Sequence, residues 1–559
     1  MSKNRLIYLP LGGAGEIGMN AYVYGYGPKG KERLILVDLG VTFPDMDSTP
    51  GVDLIMPDVS WLEENKERLE AVFITHAHED HIGGIAHLWT KLGSPTVYAR
   101  TFTAHHTRRK MEEQGANPED VVTVSQYPEV IEVGPFGVSF LPVAHSIPES
   151  SGLVIDTPKG RIVHTGDFKL DETPVLGEAF NPDLWAEVAQ SGVKALVCDS
   201  TNVFSSHAGR SEATVGPEIE KLVANAKGMV VATTFASNVA RLKTLADAGK
   251  RAGRSVVLLG RAMRRMVQAG IETGVLKDFP SVIPIEDARE IPRENLMLLA
   301  TGSQGERRAA VAQLSRGKYL GMSMKEGDTL LFSSKTIPGN ERGVISIMNA
   351  YSEMGVDIVD DEGGRYHVSG HANRPDIERT HKIFKPEILI PMHGEHRHLR
   401  EHARLGEDGG FASVVAVNGM MIDITGKRPE IVEYIDTGRT YLDGSVKIGA
   451  MDGVVRDRIR MALNGHVMVN IIIDEQDTPL GEPWVEIMGL PRFGTSRSEL
   501  AEVIEEDLNQ VLMRMDDKTL LDDDKIEEQI RRATRKTTQD EVGKKAEVTV
   551  VVSRLVGGV

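Results

Sequence analysis

The chain of 559 residues holds a single cysteine, Cys198. One thiol excludes any internal disulfide, and with it the disulfide-stapled class of secreted domains. The expected setting is a reducing cytoplasm. Cys198 ends the apolar run Ala195-Leu196-Val197 and reads as buried filler rather than a nucleophile. No apolar run reaches the roughly 20 residues that a membrane-spanning helix needs. Met1 to Gly12 lacks the charged region and apolar block of a secretory leader, so none is expected. Positive charge is short as well, with 64 Lys and Arg against 81 Asp and Glu, a net charge of −17. That balance weighs against nucleic-acid binding through general surface charge. It leaves room for a locally basic groove, because much of the excess acid sits late, at Glu505-Glu506-Asp507 and Asp522-Asp523-Asp524.

Apolar content of 41% and charged content of 26% are those of an ordinary globular protein. The length calls for roughly two to four domains. The chemistry is concentrated in one stretch, Thr75-His76-Ala77-His78-Glu79-Asp80-His81. It follows Ala71-Val72-Phe73-Ile74, which reads as a buried strand, and Gly83-Gly84 comes directly after it. A strand end opening into a glycine-flanked loop can aim alternate side chains at one point. Imidazole nitrogen and carboxylate oxygen are the ligands of catalytic zinc. His76 and His78 can share one metal, and Asp80 and His81 can hold a second. A His-rich surface turn is the plainer alternative, but such turns seldom carry ligands at this density.

Ahead of this loop lies Gly13-Ala14-Gly15-Glu16-Ile17-Gly18, with Asp38 about 20 residues on, the spacing of the dinucleotide fingerprint. That fingerprint needs a helix after the glycines. Asn20-Ala21-Tyr22-Val23-Tyr24-Gly25-Tyr26 is instead β-prone, and a hairpin is expected. Leu34-Ile35-Leu36-Val37-Asp38 is the next strand. Phe43, in a Pro/Asp-rich loop, either stacks on a base or packs beneath the loop. The basic cluster from Arg100 to Lys110 reads as a solvated helix face. His145 and Asp167 each follow a strand and are further ligand candidates beside the His76 loop.

From Glu212 to about Gly370 helices and strands alternate as in a parallel α/β unit. Its strands end in small or polar residues, among them Ser237-Asn238, Gly260-Arg261, Thr301-Gly302-Ser303 and Ser334-Lys335. Ligands gather at such strand ends, and the repetition favours an anion site. Strand-plus-His then returns at His367 to His371 and at Ile390 to His396, so the α/β unit reads as an insertion. His396, His398 and His402 fall in a charged helix and are expected in solvent. Beyond about Gly438 ligand chemistry stops. Strands at Val467–Ile473 and Trp484–Met488, a capping box at Ser496 and Glu499, helices from there and from near Asp524 to Lys536, a polar linker from Thr537 to Lys545 and a last strand make a small α+β domain.

The pattern His76-x-His78-x-Asp80-His81 is the signature of the metallo-β-lactamase superfamily. Further motifs resemble the ribonuclease J family of its β-CASP branch. They are the Gly12–Gly18 loop, His145-Ser146-Ile147-Pro148, Thr165-Gly166-Asp167-Phe168-Lys169, Asp199-Ser200-Thr201-Asn202, Thr234 to Asn238, Thr301 to Glu306, Ile337 to Asn340, His367 to His371 and Pro391-Met392-His393-Gly394-Glu395. The resemblance covers nearly the whole chain. It implies an α/β fold, a metallo-β-lactamase αββα sandwich (1–205 and 371–440) with an inserted β-CASP α/β domain (206–370). A linker (441–462) and a C-terminal α+β domain (463–559) would follow. It further implies that His76, His78 and His145 hold one zinc, that Asp80, His81 and His393 hold the other, and that Asp167 bridges them, with manganese or magnesium as substitutes. Asp38 would support the metal loop from behind. Asp199 would be proton donor and His371 acceptor, while Ser237, Asn238, Val239 and the segment His367, Val368, Ser369, Gly370, His371 would contact the RNA backbone.

The function implied is two-zinc hydrolysis of single-stranded RNA, 5′→3′ from 5′-monophosphate ends and also internally, in rRNA processing and mRNA decay. A homodimer or homotetramer formed through the C-terminal domain is implied with it. Two metals about 3.5–4 Å apart can clamp an in-line displacement at phosphorus and acidify water. A DNA-directed β-CASP nuclease is the nearest alternative. A small-molecule hydrolase of lactamase or glyoxalase type has no use for the long insertion, and an idle RNA-binding scaffold has no use for a complete ligand set.

Overall fold

The computed structural model describes residues 4–361 and 363–556. The chain divides into two compact units, Met1–Thr42 with Met56–Arg439, and Phe43–Ile55 with Thr440–Val559. The first unit is built on two sheets packed face to face. One has eight strands in the order Glu430–Tyr434, Met420–Asp423, Asn4–Gly12, Ala21–Pro28, Arg33–Val37, Leu69–Phe73, Val97–Ala99 and Val121–Thr123. The other has seven, in the order Ala412–Ser413, Ile388–Met392, Ala195–Asp199, Gly160–His164, Ser151–Thr157, Phe136–Pro142 and Ile131–Val133. Leu6, Tyr8, Ile35 and Phe73 of the first meet Phe136, Ile155, Val197 and Ile390 of the second in one buried core. Helices cover the outer face of the seven-stranded sheet. There Trp185, from the helix Pro182–Ala189, lies among Phe168, Phe180 and Phe384 with ring centroids 5.0–5.8 Å away. Burying a ring of that size contributes roughly 4–6 kcal/mol of transfer free energy.

The glycine-rich opening is followed by the strand Ala21–Pro28, which pairs antiparallel with Asn4–Gly12. Glycines followed by a strand exclude a dinucleotide site, as the β-prone run from Asn20 to Tyr26 indicated. The insertion leaves the sandwich after Asp199 and returns before His371. It carries a five-stranded parallel sheet in the order Ser255–Leu259, Leu296–Ala300, Val230–Thr233, Thr329–Phe332 and Asp357–Val359. Four of these strands are almost continuously buried, as in a sheet covered on both faces, while the edge strand Asp357–Val359 is partly exposed.

The second unit has a three-stranded sheet, Trp484–Met488, His466–Ile473 and Glu547–Arg554, backed by the helices Leu500–Leu512 and Asp523–Val542. Several local readings fail here. Residues 441–462, expected as a linker, carry a hairpin in which Thr440 pairs with Gly449, and most of the helix Val454–Asn464. The expected linker Thr537–Lys545 is largely the end of the helix Asp523–Val542, because Thr537 and Thr538 bury their hydroxyls against it. The capping box does not form. Glu499 pairs with Arg492, and Ser496 bonds Glu541. The basic stretch after Arg100 is a helix, Thr101–Glu113, but Arg100 and His106 are buried rather than solvated. No helix among the described residues is long and apolar enough to cross a membrane.

Candidate metal centre

Strand Leu69–Phe73 runs out into the His76 loop, and Asp38 fixes that loop from behind. Asp38 follows the neighbouring strand Arg33–Val37 in a left-handed conformation (φ 61°). Its Oδ1 accepts the Thr75 N–H at 2.8 Å, and its Oδ2 accepts the Thr75 hydroxyl at 2.8 Å and the His81 Nδ1–H at 2.7 Å. With Nδ1 occupied by Asp38, His81 turns its Nε2 toward Asp167 Oδ2 at 3.2 Å and Asp80 Oδ2 at 3.5 Å. Asn20 steadies the same loop. Its Oδ1 accepts the Tyr22 hydroxyl at 2.6 Å, so its Nδ2 donates to the Asp80 carbonyl at 3.0 Å. Gly40 lies flush against the loop, where a Cβ would sit 1.6 Å from the Asp80 carbonyl oxygen.

Two donor sets converge. His76 Nε2 and His145 Nε2 lie 3.1 and 3.2 Å from His78 Nδ1. The Gly370 carbonyl accepts from His145 Nδ1 at 2.6 Å, which leaves the His145 Nε2 lone pair facing the other two rings. The second set is Asp80, His81, Asp167 and His393, with His393 Nε2 3.2 Å from Asp80 Oδ2. Within each set the donor atoms lie within 4.8 Å of one another. Asp167 stands between them. Its Oδ2 is 3.2 Å from His81, 3.8 Å from His76 and 3.9 Å from His145, while its buried Oδ1 has no hydrogen-bond partner. Three imidazole nitrogens turned on one another, and an orphaned carboxylate oxygen beside them, fit a site built for cations. The nitrogen and oxygen donors are those zinc takes.

The electrostatics differ between the sets. Burial, reinforced by neighbouring imidazoles, holds His76 and His145 well below the usual value. Burial also brings His78 down to about 4. The first set is therefore neutral and ready to ligate. Burial would lower His81 and His393 too, but the carboxylates outweigh it. Asp167, Asp80 and Asp38 raise His81 well above its usual value, and Asp167, with hydrogen bonds to Asp199 and Asp80, raises His393 to about 10. The second set thus pairs protonated imidazoles with ionised carboxylates, Asp80 and Asp167 being held below their usual range by His81 and His393 against their own burial.

Asp199 and His371 close the site from the two ends of the insertion. His371 Nδ1 lies 2.7 Å from Asp199 Oδ2. Burial would raise the Asp199 carboxyl, yet the His371 charge and hydrogen bond hold it well below the usual range, while Asp199 raises His371 against its own burial. Thr201 Oγ1 bonds Asp199 Oδ1 at 2.8 Å and His393 Nδ1 at 2.9 Å. Asn202 Nδ2 donates to Ser369 Oγ at 2.8 Å.

The other positions named from sequence have mixed fates. Asn238 caps the helix Val239–Arg251, its Oδ1 accepting the Arg241 N–H at 2.9 Å, and the Val239 side chain is buried. His367 is pushed down to about 3 by burial and by Arg241. Val368 is buried, and Ser369 Oγ also accepts the His371 N–H at 3.1 Å. Phe43 belongs to the second unit and is 64% exposed, which removes packing beneath the loop as its role. His396 is exposed, but His398 and His402 are buried, contrary to expectation. Both sit on the inner face of the helix His396–Asp408, where period 3.6 places every fourth residue against the sheet. Sequence reading missed Asn20, Thr201 and Asn202 as supports. Thr201 and Asn202 stood in a quoted motif, but nothing in their type marks which partner they take.

The fold is that of the metallo-β-lactamase superfamily. Residues 15–207 match its family profile, and residues 365–416 match that of the Zn-dependent metallo-hydrolase RNA specificity domain. Residues 227–351 match the ribonuclease J beta-CASP domain, and residues 453–555 the ribonuclease J C-terminal domain. The chain is 39% identical over 552 residues to ribonuclease J of Sinorhizobium meliloti, covering 98% of this chain and 97% of that one. It is 34% identical over 481 residues to ribonuclease J 1 of Streptococcus pyogenes serotype M3 (85% and 84%), and 32% identical over 497 residues to ribonuclease J of Thermus thermophilus (86% and 83%). The chain belongs to the ribonuclease J family. A crystal structure of a protein of unknown function from Enterococcus faecalis V583 shares the fold, with a TM-score of 0.52 at 17% identity over 75% of this chain and all of that one.

Proposed function

We propose that this chain is a metal-dependent ribonuclease that hydrolyses single-stranded RNA, 5′→3′ from 5′-monophosphate ends and also internally, in RNA processing and decay. One observation supports the reading: two sets of imidazole and carboxylate donors meet at Asp167, and the Asp199–His371 pair closes on the same point. His76, His78 and His145 would hold one ion and Asp80, His81 and His393 the other, with Asp167 shared. Two zinc ions, or manganese or magnesium in their place, supply Lewis acidity toward phosphoryl oxygen and a nucleophile at neutral pH. Hydrolysis adds the elements of water across the P–O3′ bond, leaving a 5′-phosphate on one product and a 3′-hydroxyl on the other. The leaving 3′ oxygen needs a proton. Asp199 and His371 hold one between them, and it rests on His371 in the charge state described above. Donor and acceptor roles therefore belong to the pair.

The RNA backbone is expected to meet Ser237, Asn238 and Val239, where the helix Val239–Arg251 begins and its dipole favours phosphate. The segment His367 to His371 lines the approach, held in place through Gly370 and Ser369. Phe43 offers an exposed ring to a base. Subunits would pair through the C-terminal α+β domain, as a homodimer or homotetramer.

The decisive experiment gives the protein one single-stranded RNA with monophosphate, triphosphate or hydroxyl 5′ ends, and DNA of the same sequence, with zinc or manganese. Mononucleotides released fastest from the monophosphate RNA are the expected result, with internal fragments from all three. Cleavage of DNA alone, or of nothing, overturns the proposal.

A further inference from the structure

The outer face of the seven-stranded sheet carries a second cluster that the reaction does not use. Cys198, His381 and His402 are all buried, and their donor atoms lie within 4.8 Å of one another. Cys198 belongs to the strand Ala195–Asp199 and points into the helical layer, while Val197 before it points into the sandwich core. His381 Nε2 and His402 Nε2 are 3.0 Å apart, their rings stacked at 5.1 Å. His402 Nδ1 is taken up by the Ser200 hydroxyl at 2.9 Å, so its Nε2 faces the cluster.

We propose that Cys198, His381 and His402 form a third, structural metal site for a soft, thiolate-seeking cation of the zinc or copper(I) class. A thiol and two imidazoles in a dry pocket are the donor set such cations select. Burial keeps both imidazoles below their usual value, His381 at about 4, so each offers a lone pair at neutral pH. Burial also pushes the Cys198 thiol up, so its proton leaves only as the cation enters, released to solvent. The site contains no carboxylate, and copper(I) with one thiolate and two neutral imidazoles would carry no net charge.

The placement gives such an ion a purpose. Cys198 adjoins Asp199. His381 lies on the helix Arg374–Phe384, which follows His371, and His402 lies on the helix His396–Asp408, which follows His393. One ion would tie together the three segments that deliver Asp199, His371 and His393, while sharing no donor with the centre they serve.

Cys198 is the only cysteine, so any thiolate-to-metal signal reports this site alone. The full-length chain is stripped of metal, kept reduced with a phosphine, and titrated with cobalt(II) and, separately, copper(I). A thiolate charge-transfer band in the near ultraviolet, with the intensity of one bound ion and saturating by three equivalents, is expected. It should vanish in Cys198→Ser and persist in His78→Ala, which disables the other centre. X-ray absorption on the chain as purified needs no variant and should show sulfur at about 2.3 Å if the occupant is zinc. A folded chain that gives no thiolate band with either metal, or a band that survives in Cys198→Ser, overturns the proposal and leaves a hydrogen-bonded imidazole pair beside a thiol. Because the His76 centre has no sulfur donor, either result is independent of the ribonuclease reading.

Discussion

His371 Nδ1 lies 2.7 Å from Asp199 Oδ2, joining residues 172 positions apart in the chain. Asp199→Asn keeps the shape and removes the charge that holds the proton on His371. Activity should fall by about 10²–10⁴-fold, the span of general acid–base catalysis. Bound metal should stay unchanged, since Asp199 belongs to neither proposed ligand set. A proportional loss of metal would instead make Asp199 a ligand.

Asp167 lies within 4 Å of histidines of both donor sets. Asp167→Asn should lower metal content and abolish turnover together, while His78→Ala should remove one ion and leave the second. Chelation should silence the wild-type chain and zinc restore it. Elemental analysis beside the RNA assay checks each, and turnover that survives exhaustive chelation would defeat the two-metal account.

Gly40 supplies no donor, yet a Cβ there would meet the Asp80 carbonyl carbon at 2.0 Å and oxygen at 1.6 Å. Backbone cannot yield as a flexible side chain can. Gly40→Ala should push the His76 loop off its seat on Asp38 and cut activity by tenfold or more, on the order of the loss from removing an outer-shell support. A chain with Gly40→Ala and wild-type metal affinity would show that the loop can shift freely.

His106 is buried against Phe102, its Nε2 without a partner, and burial holds it down to about 3. Unfolded, it titrates near 6.5. As pH falls through 6.5 the unfolded chain takes up a proton that the folded chain refuses. Stability is therefore full above pH 6.5 and lost progressively toward pH 3, by about 2 kcal/mol at pH 5 from this group. His164, also held to about 3 by burial, acts in the same direction. Urea midpoints at pH 7.5 and pH 5 should differ less in His106→Gln than in the wild type. An equal difference would assign the acid sensitivity to other groups.

Much of this was legible in the sequence because the candidate ligands sit at strand ends, where apolar runs stop and histidine or aspartate begins. His76, His145 and Asp167 announce themselves in that way. The hairpin after Gly18 was legible from the β-prone run from Asn20 to Tyr26. What escaped was set by tertiary packing. His402 sits in a string of charges and looks solvated, yet the helix turns it inward to Ser200 and His381. Cys198 looks like filler until residues some 180–200 places later arrive beside it. Glu499 fits a capping box, but Arg492 claims its carboxylate first.

The separation of Asp199 from His371 also sets a clock on synthesis. When the ribosome has released the strand Ala195–Asp199, the His76 loop, His145 and Asp167 are already made, but His371 and His393 are not. At 5–20 residues per second, the 172 positions to His371 take about 10–30 s to emerge. Through that interval the nascent chain carries one donor set and an incomplete second, beside the message being read. On the roles proposed for His371 and His393, a growing chain of this kind stays unable to cut the transcript that encodes it until the insertion has been made and closed.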